Sequence, residues 1–540
     1  MGIIKNPVLP GFHPDPSIIY YGGWFYIANS TFEWFGGVEI SRSRDLSFWE
    51  PVCRPLSTRS HLDMIGNPAS GGVWAPCLSW ADGLFWLIFT DVKSWNSSAF
   101  KDTPNYVTTA EEITGPWSKP VLLNRSGFDP SLFHDDDGKK YLVNMVWDYR
   151  RQGTNQFSGI LLQEFDPVTR ALTGEAIKIF LGTDIGLVEG PHLYKHDGFY
   201  YLMCAEGGTE YNHAVTIARS RTIRGPYEVH PQNPLCTSRN HTELHLQKAG
   251  HGSMCQGRNG QWFLAFLVGR PLPGTNRCVL GRETAIMPLV WKDGWPYLAN
   301  GTNNPELAFE VPWETGPQKL EDKEYRFRIR EEQQQFLTDF MTLRIPLEKH
   351  EYSFSVRPGF LRLYGGESPV SRHHQTLFAR RQTAFRFKAE TAFEFNSKSF
   401  QEMAGLIYRY DEENWYYLRL SWNEKYDSYS LGLLIMDNDK FFMPLGEHEI
   451  PIHARELKNS LLYVRAEVNY RDLCFFYSLD GTNWTMVESP EGSVFDASII
   501  SDDYGGLGFT GAFIGICCQD MHGTGTAHAD FAYFKYEEFQ

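Results

Sequence analysis

His13-Pro14-Asp15-Pro16-Ser17-Ile18-Ile19-Tyr20-Tyr21-Gly22-Gly23-Trp24-Phe25-Tyr26 reads as a polar residue, a proline, a short apolar strand, a glycine turn and an aromatic-rich second strand. The same order returns four more times within the first 270 residues. Pro16, Pro76, Pro130, Pro191 and Ser253 precede turn glycines at Gly23, Gly83, Gly138, Gly198 and Gly260, at separations of 7, 7, 8, 7 and 7. Three residues past each glycine stands an aromatic, Tyr26, Trp86, Tyr141, Tyr201 or Phe263, where the second strand of a hairpin sets its core anchor. Glycine-to-glycine pitches are 60, 55, 60 and 62 residues. A period of that size with a hairpin per copy fits four-stranded blades, none of which can bury its faces alone. The reading is a five-bladed β-propeller.

In a propeller the first strand of every blade runs along the central axis, so residues at the heads of those strands converge on one mouth. Here they include Asp15 in His-Pro-Asp-Pro, Asp129 in Gly-Phe-Asp-Pro, Glu189 in Val-Glu-Gly-Pro and His251 in Gly-His-Gly-Ser. Trp74-Ala75-Pro76 supplies an aromatic instead, and Trp74 is expected ahead of its strand, free to stack on a sugar face. An Asp before Pro is also a common turn residue whose carboxylate bonds its own backbone. Three carboxyls in register at blade mouths, ringed by aromatics, point instead to glycosidic-bond cleavage. That reaction needs one protonated carboxyl for the leaving oxygen and one ionised carboxylate on the other face of the sugar.

Composition bounds the remaining possibilities. At 540 residues the chain calls for two or three domains. Aromatics make up 15% of it, with 16 Trp and 27 Tyr, as suits β-blades and sugar-stacking surfaces. A net charge of −15 argues against a nucleic-acid partner, and no apolar run is long enough to span a membrane. The nine cysteines are scattered without Cys-x-x-Cys pairs, which fits reduced thiols. With no export signal at the N-terminus, a cytoplasmic protein is expected. There is no His-Glu-x-x-His and no Ca²⁺ loop; Asp135-Asp136-Asp137-Gly138 reads as a hairpin turn. No metal and no cofactor are expected, with a cation on the propeller axis left open.

The propeller is expected over residues 1–305; the stretch Asn300 to Pro317, rich in Asn, Pro, Gly and Thr, reads as a linker, which is set at 306–325. Residues 326–540 then read as an antiparallel β-sandwich with strands at Thr383–Phe395, Ala404–Tyr410, Trp415–Trp422, Tyr429–Met436, Leu462–Asn469, Cys474–Ser478 and Phe513–Cys518. The charged stretch 319–335 is a strand or a short helix. The whole protein is expected to be all-β.

Asn6 to Ser17, Gly72-Val73-Trp74-Ala75-Pro76, Gly127-Phe128-Asp129-Pro130-Ser131 and Val188-Glu189-Gly190-Pro191, in that order and at blade spacing, resemble glycoside hydrolase family 43. The resemblance is strongest to its β-xylosidases with a C-terminal, concanavalin-like β-sandwich, and it covers essentially the whole chain. It implies that Asp15 is the general base, Glu189 the general acid, and Asp129 a third carboxylate that raises and orients the acid. It also implies that Phe32, Trp74, His251 and Arg282 line the sugar pocket. Phe509, in the loop Gly505 to Gly511, would close the pocket from the second domain and favour attack on chain ends.

The expected activity is an inverting exo-hydrolase that releases D-xylose from the non-reducing ends of 1,4-β-xylooligosaccharides, with α-L-arabinofuranosidase activity beside it and a homo-oligomeric (dimeric or tetrameric) state. Three rivals share the shape: an arabinan-degrading hydrolase, a retaining fructosidase-like enzyme, and a carbohydrate-binding propeller without catalysis. The last repeats its binding residues blade by blade, whereas here the mouth residues differ.

Overall fold

The computed structural model describes residues 1–96, 99–152, 156–316 and 320–539. Nearly every element is a β-strand, and the chain forms two compact units: Met1–Arg270 with Arg282–Gln318, and Pro271–Gly281 with Lys319–Gln540. The excursion Pro271–Gly281, between two strands of the fifth blade, thus groups with the second unit, a departure that the repeat could not announce.

The first unit is a five-bladed propeller. Each blade is an antiparallel meander in chain order, beginning with Ser17–Tyr21, Gly72–Ala81, Ser131–His134, Glu189–His196 and Gln247–Gln256. These first strands touch one another in sequence, and the fifth packs back on the first, which closes the ring. The five aromatic anchors are all buried, as strand residues filling the space between stacked blades should be.

Serines beside the repeat's proline column tie neighbouring blades. Leu78 N–H donates to Ser17 Oγ (3.0 Å), Ser131 O–H to the Pro191 carbonyl (2.6 Å), and Ser253 O–H to the Pro16 carbonyl (2.7 Å).

Strand register corrects the fifth repeat. Tyr26 lies opposite Ile19, Trp86 opposite Ser79, Tyr141 opposite Phe133, Tyr201 opposite Tyr194 and Phe263 opposite Cys255. Counting back three residues from each partner gives Pro16, Pro76, Pro130, Pro191 and Gly252. Ser253 therefore matches Ser17, not the proline column, because the turn between Gln256 and Trp262 is longer than that between Tyr21 and Trp24 and sets the anchor one residue farther from the column. The residues just ahead of the column, Asp15, Ala75, Asp129, Gly190 and His251, all adopt left-handed backbone, at φ of 50°, 40°, 54°, 55° and 45°. That conformation costs a non-glycine residue about 1–3 kcal/mol and persists where surrounding structure fixes it. Trp74 is also corrected: it lies inside the strand Gly72–Ala81, paired with Thr90 ahead of a bulge at Ala75-Pro76.

The second unit is a β-sandwich of a nine-stranded and a seven-stranded sheet around one apolar core. Of the expected strands, Leu462–Asn469 has the same limits and the others shift at one or both ends. The charged stretch resolves into both options, a strand Asp322–Tyr325 and a helix Arg330–Asp339 whose Phe336 enters the core. Within the stretch read as linker, Ala308–Val311 is a strand that pairs with Gly2–Lys5.

Candidate active site

At the heads of blades one, three, four and five, the left-handed position and its neighbours present a compact set of ionisable groups. Asp15 is buried. Its Oδ2 accepts the Ser30 hydroxyl at 2.6 Å, while its Oδ1 lies 3.4 Å from His251 Nδ1 and 3.7 Å from the Arg282 guanidinium. Asp129, also buried, accepts the N–H of Gly190 at 3.1 Å, which fixes it against the residue following Glu189. Arg282 donates to Thr209 Oγ1 at 2.7 Å and stands 5.2 Å from the centre of the Phe32 ring. Burial pulls the His251 imidazole below its usual range; nearby Asp15 opposes that shift and Arg282 adds to it. A neutral ring is thereby favoured.

The electrostatics separate the carboxyls. Glu189 keeps a partial opening to solvent, yet its carboxyl is set deep enough that burial is the main force raising it, to about 8. The negative charge of Asp15 pushes the same way, and Arg282 and Lys101 pull back. Asp129 is raised well above the carboxylate range by burial first, then by Glu189 and Asp15. Carboxyls so close titrate as a coupled set, and this one holds a proton into neutral pH. A protonated carboxyl within the electrostatic reach of a hydrogen-bonded Asp is the pairing that acid–base cleavage of a glycosidic bond requires.

The apolar wall is a run of rings. Phe32, itself left-handed at φ 52°, stands 5.7 Å from Phe12 and 5.9 Å from Trp74. Trp74 meets Trp95 at 6.0 Å and Phe128 at 5.4 Å, both edge-on, and its indole N–H donates to the Ser70 carbonyl at 2.9 Å. Phe128 leads on to Trp147 and Phe157.

Seven residues singled out from sequence, Asp15, Phe32, Trp74, Asp129, Glu189, His251 and Arg282, thus fall within one connected neighbourhood of the first unit. Phe509 belongs to the second unit, where it is buried.

Sequence reading passed over Ser30, Lys101, Phe128 and Thr209. Phe128 holds the same register position as Trp74, one residue ahead of the left-handed slot, and that equivalence was the available signal. Lys101 had none, since it lies in a long loop outside the repeat. One metal-capable group occurs among the described residues, Cys278 with Asp502 and Asp503 in the second unit. There Asp503 accepts the Cys278 backbone N–H at 3.0 Å, a bond that fastens the Pro271–Gly281 excursion.

A closed five-bladed ring with an acid–base carboxyl set inside an aromatic cup defines a glycoside hydrolase. Residues 4–296 match the family model Glycosyl hydrolases family 43, and residues 332–537 match Beta xylosidase C-terminal Concanavalin A-like domain. The chain belongs to glycosyl hydrolases family 43. It is 47% identical to Xylosidase/arabinosidase 43B of Humicola insolens, over 99% of this chain and 98% of the relative. It is also 47% identical to Beta-xylosidase of Bacillus subtilis (strain 168), over 99% of both. Among solved structures, the xylan beta-1,4-xylosidase from Bacillus Halodurans C-125 superposes with a TM-score of 0.92 at 47% identity, covering 99% of this chain and 100% of that one.

Proposed function

We propose that the protein is an inverting exo-β-xylosidase that removes D-xylose from the non-reducing ends of 1,4-β-xylooligosaccharides, with α-L-arabinofuranosidase activity as a second reaction. Asp15 takes a proton from water as the water oxygen bonds to the anomeric carbon. The bond from that carbon to the leaving oxygen breaks, and Glu189 delivers its proton to that oxygen. Asp129 holds the backbone beside Glu189 through the Gly190 N–H, while the charge that favours the protonated acid is that of Asp15. Arg282 and His251 orient Asp15 and the sugar hydroxyls, and Phe32, Trp74 and Phe128 face the ring. No step calls for a cofactor.

The observation that carries the reading is the convergence of Asp15, Asp129 and Glu189 at the heads of three blades, with Asp129 bonded to the N–H next to Glu189 and Asp15 bonded to Ser30; burial and the Asp15 charge there raise the Glu189 carboxyl. The names of the Humicola and Bacillus relatives support the choice of sugar. The nine free thiols support a reducing, cytoplasmic setting, and a homo-oligomer acting on short imported chains completes the proposal.

Proton NMR of the first-formed sugar from xylobiose tests it. The α-anomer of xylose is expected, with turnover lowered by about 10²–10⁴-fold in Glu189→Gln. A β-anomer would establish the retaining alternative, release of oligomers from arabinan the arabinan-degrading one, and no turnover by the wild type the binding-only one.

A further inference from the structure

The described residues of the first unit leave four aromatic rings largely exposed: Tyr21, Phe48, Phe100 and Tyr149. Tyr21 is spoken for, packed at 4.1 Å on Trp80 and at 5.4 Å on Phe85 of the next blade, where Phe85 is buried. Phe100 and Tyr149 also come from different blades, and they pack against each other at 39° with ring centres 4.8 Å apart while 60% and 51% exposed. Two large rings that meet in the open, without sinking into the core, form a contiguous exposed apolar patch of the kind that marks ligand-binding surfaces.

Their place on the chain ties them to the acid. Phe100 is flanked by Ala99, whose carbonyl accepts the Trp147 indole N–H at 2.8 Å, and by Lys101, whose ammonium lies 4.4 Å from the centre of the Trp147 ring. Lys101 also donates to the Trp95 carbonyl at 2.9 Å, beside the ring that packs on Trp74. Its charge and that of Glu189 act on each other. On the other strand, Asp148 pairs with Arg150 (2.8 Å) and Arg151 (3.2 Å), fixing the turn that presents Tyr149. Trp147, held by Ala99 and Lys101, in turn faces Phe128 with ring centres 6.5 Å apart, and Phe128 precedes Asp129, whose carboxylate accepts the N–H next to Glu189; the two exposed rings thus lie at the outer end of a chain of contacts that leads to the acid. A general acid faces the oxygen that departs, so the part of the substrate that lies on its side is the leaving group.

We propose that Phe100 and Tyr149 form a stacking platform for the xylose units on the leaving-group side of the scissile bond, beyond the first. The proposal rests on the β-xylosidase reading above and deepens it. The platform favours longer oligosaccharides over xylobiose, because a pyranose face laid on an aromatic ring gains contact only when the leaving group is at least two sugars long.

The test compares kcat/KM on xylotriose with that on β-D-xylosyl fluoride, whose leaving group cannot reach the platform. The Phe100→Ala/Tyr149→Ala double variant is expected to lose about tenfold on xylotriose and less than about twofold on the fluoride. Phe100→Tyr with Tyr149→Phe is expected to retain both, and Phe48→Ala, which removes an exposed ring elsewhere, to change neither. An unchanged xylotriose rate in the double variant, or an equal loss on both substrates, would overturn the platform. A wild-type protein inert on both substrates would overturn the xylosidase reading itself, a separate and recognisable result.

Discussion

Glu189 must hold a proton to act, and its surroundings set the pH at which it lets go. Burial and Asp15 raise its carboxyl to about 8, against the opposing charge of Lys101. The alkaline limb of the kcat/KM profile is expected to follow this group and to vanish in Glu189→Gln. Lys101→Met removes a cation that stabilises the ionised acid, so the limb should move to higher pH, whereas Lys101→Arg should leave it near the wild-type position. A limb that stays put in Lys101→Met would disconnect the lysine from the acid. The same shift has a cost in folding. Between the ordinary glutamate value of 4.5 and about 8, the folded protein holds a proton that the unfolded chain has released, so stability falls as pH rises through that window. Glu189→Gln lacks this penalty, and its thermal midpoint should exceed that of the wild type at pH 8 and converge with it near pH 4. The three carboxyls were legible in the sequence because they recur at the heads of three blades, in step with the turn glycines and aromatic anchors of the repeat. Lys101, Ser30 and Thr209 were not, because nothing local distinguishes a loop lysine that reaches the acid from one that reaches only water.

At the scale of the strand, one slot does the positioning. The left-handed residue ahead of each proline column is Asp15, Ala75, Asp129, Gly190 or His251, and blade four gives it to glycine so that the acid can stand one residue earlier. A Cβ at Gly190 would come within 3.1 Å of His251 Nε2 and 3.2 Å of Ala205 Cβ, on backbone that disfavours any side chain. Gly190→Ala is therefore expected to cost about 1–3 kcal/mol of stability. It should also lower kcat at least as sharply as it raises KM, because Asp129 bonds this very N–H and Glu189 is its neighbour. Full activity in a stable Gly190→Ala protein would show that the slot does not position the acid. The repeat made the blades readable, since turn, anchor and head recur together. It put Ser253 where Gly252 belongs in the fifth copy of the column, while the head, His251, was read correctly, because a turn glycine marks a turn without measuring its length. In the sandwich, Leu462–Asn469 alternates cleanly and was legible. His528–Glu538, which pairs with three other strands, was not: a bulge at Ala532, between the pairs Tyr533–Ala392 and Phe531–Phe393, moves the buried apolar positions from Ala529 and Phe531 to Phe534 and Tyr536 and breaks the period of two.

For the propeller as a whole, closure is the condition that brings acids from three blades together, and the N-terminal segment is the clasp. Gly2–Lys5 pairs with Ala308–Val311, and the next residue, Asn6, is buried with its side chain fully engaged. Asn6 Nδ2 donates to the carbonyls of Ile286 (2.8 Å) and Glu306 (2.9 Å), and its Oδ1 accepts the Ile286 N–H at 2.9 Å. The segment then continues along the same blade-five strand, where Val8 N–H donates to the Thr284 carbonyl at 2.8 Å and His13 N–H to that of Arg282 at 2.9 Å. The clasp thus leads directly from the chain's first strand to Asp15. Asn6→Ala would leave buried backbone groups of Ile286 and Glu306 unpaired, at about 1–3 kcal/mol for each group abandoned, while no atom of Asn6 belongs to the site. Its expected signature is a fall of about 5 °C or more in the temperature of half-inactivation, with kcat and KM at 25 °C close to wild type. If Asn6→Ala instead lost activity at 25 °C without losing thermal stability, the segment would be a part of the site's geometry and not the fastening of the ring.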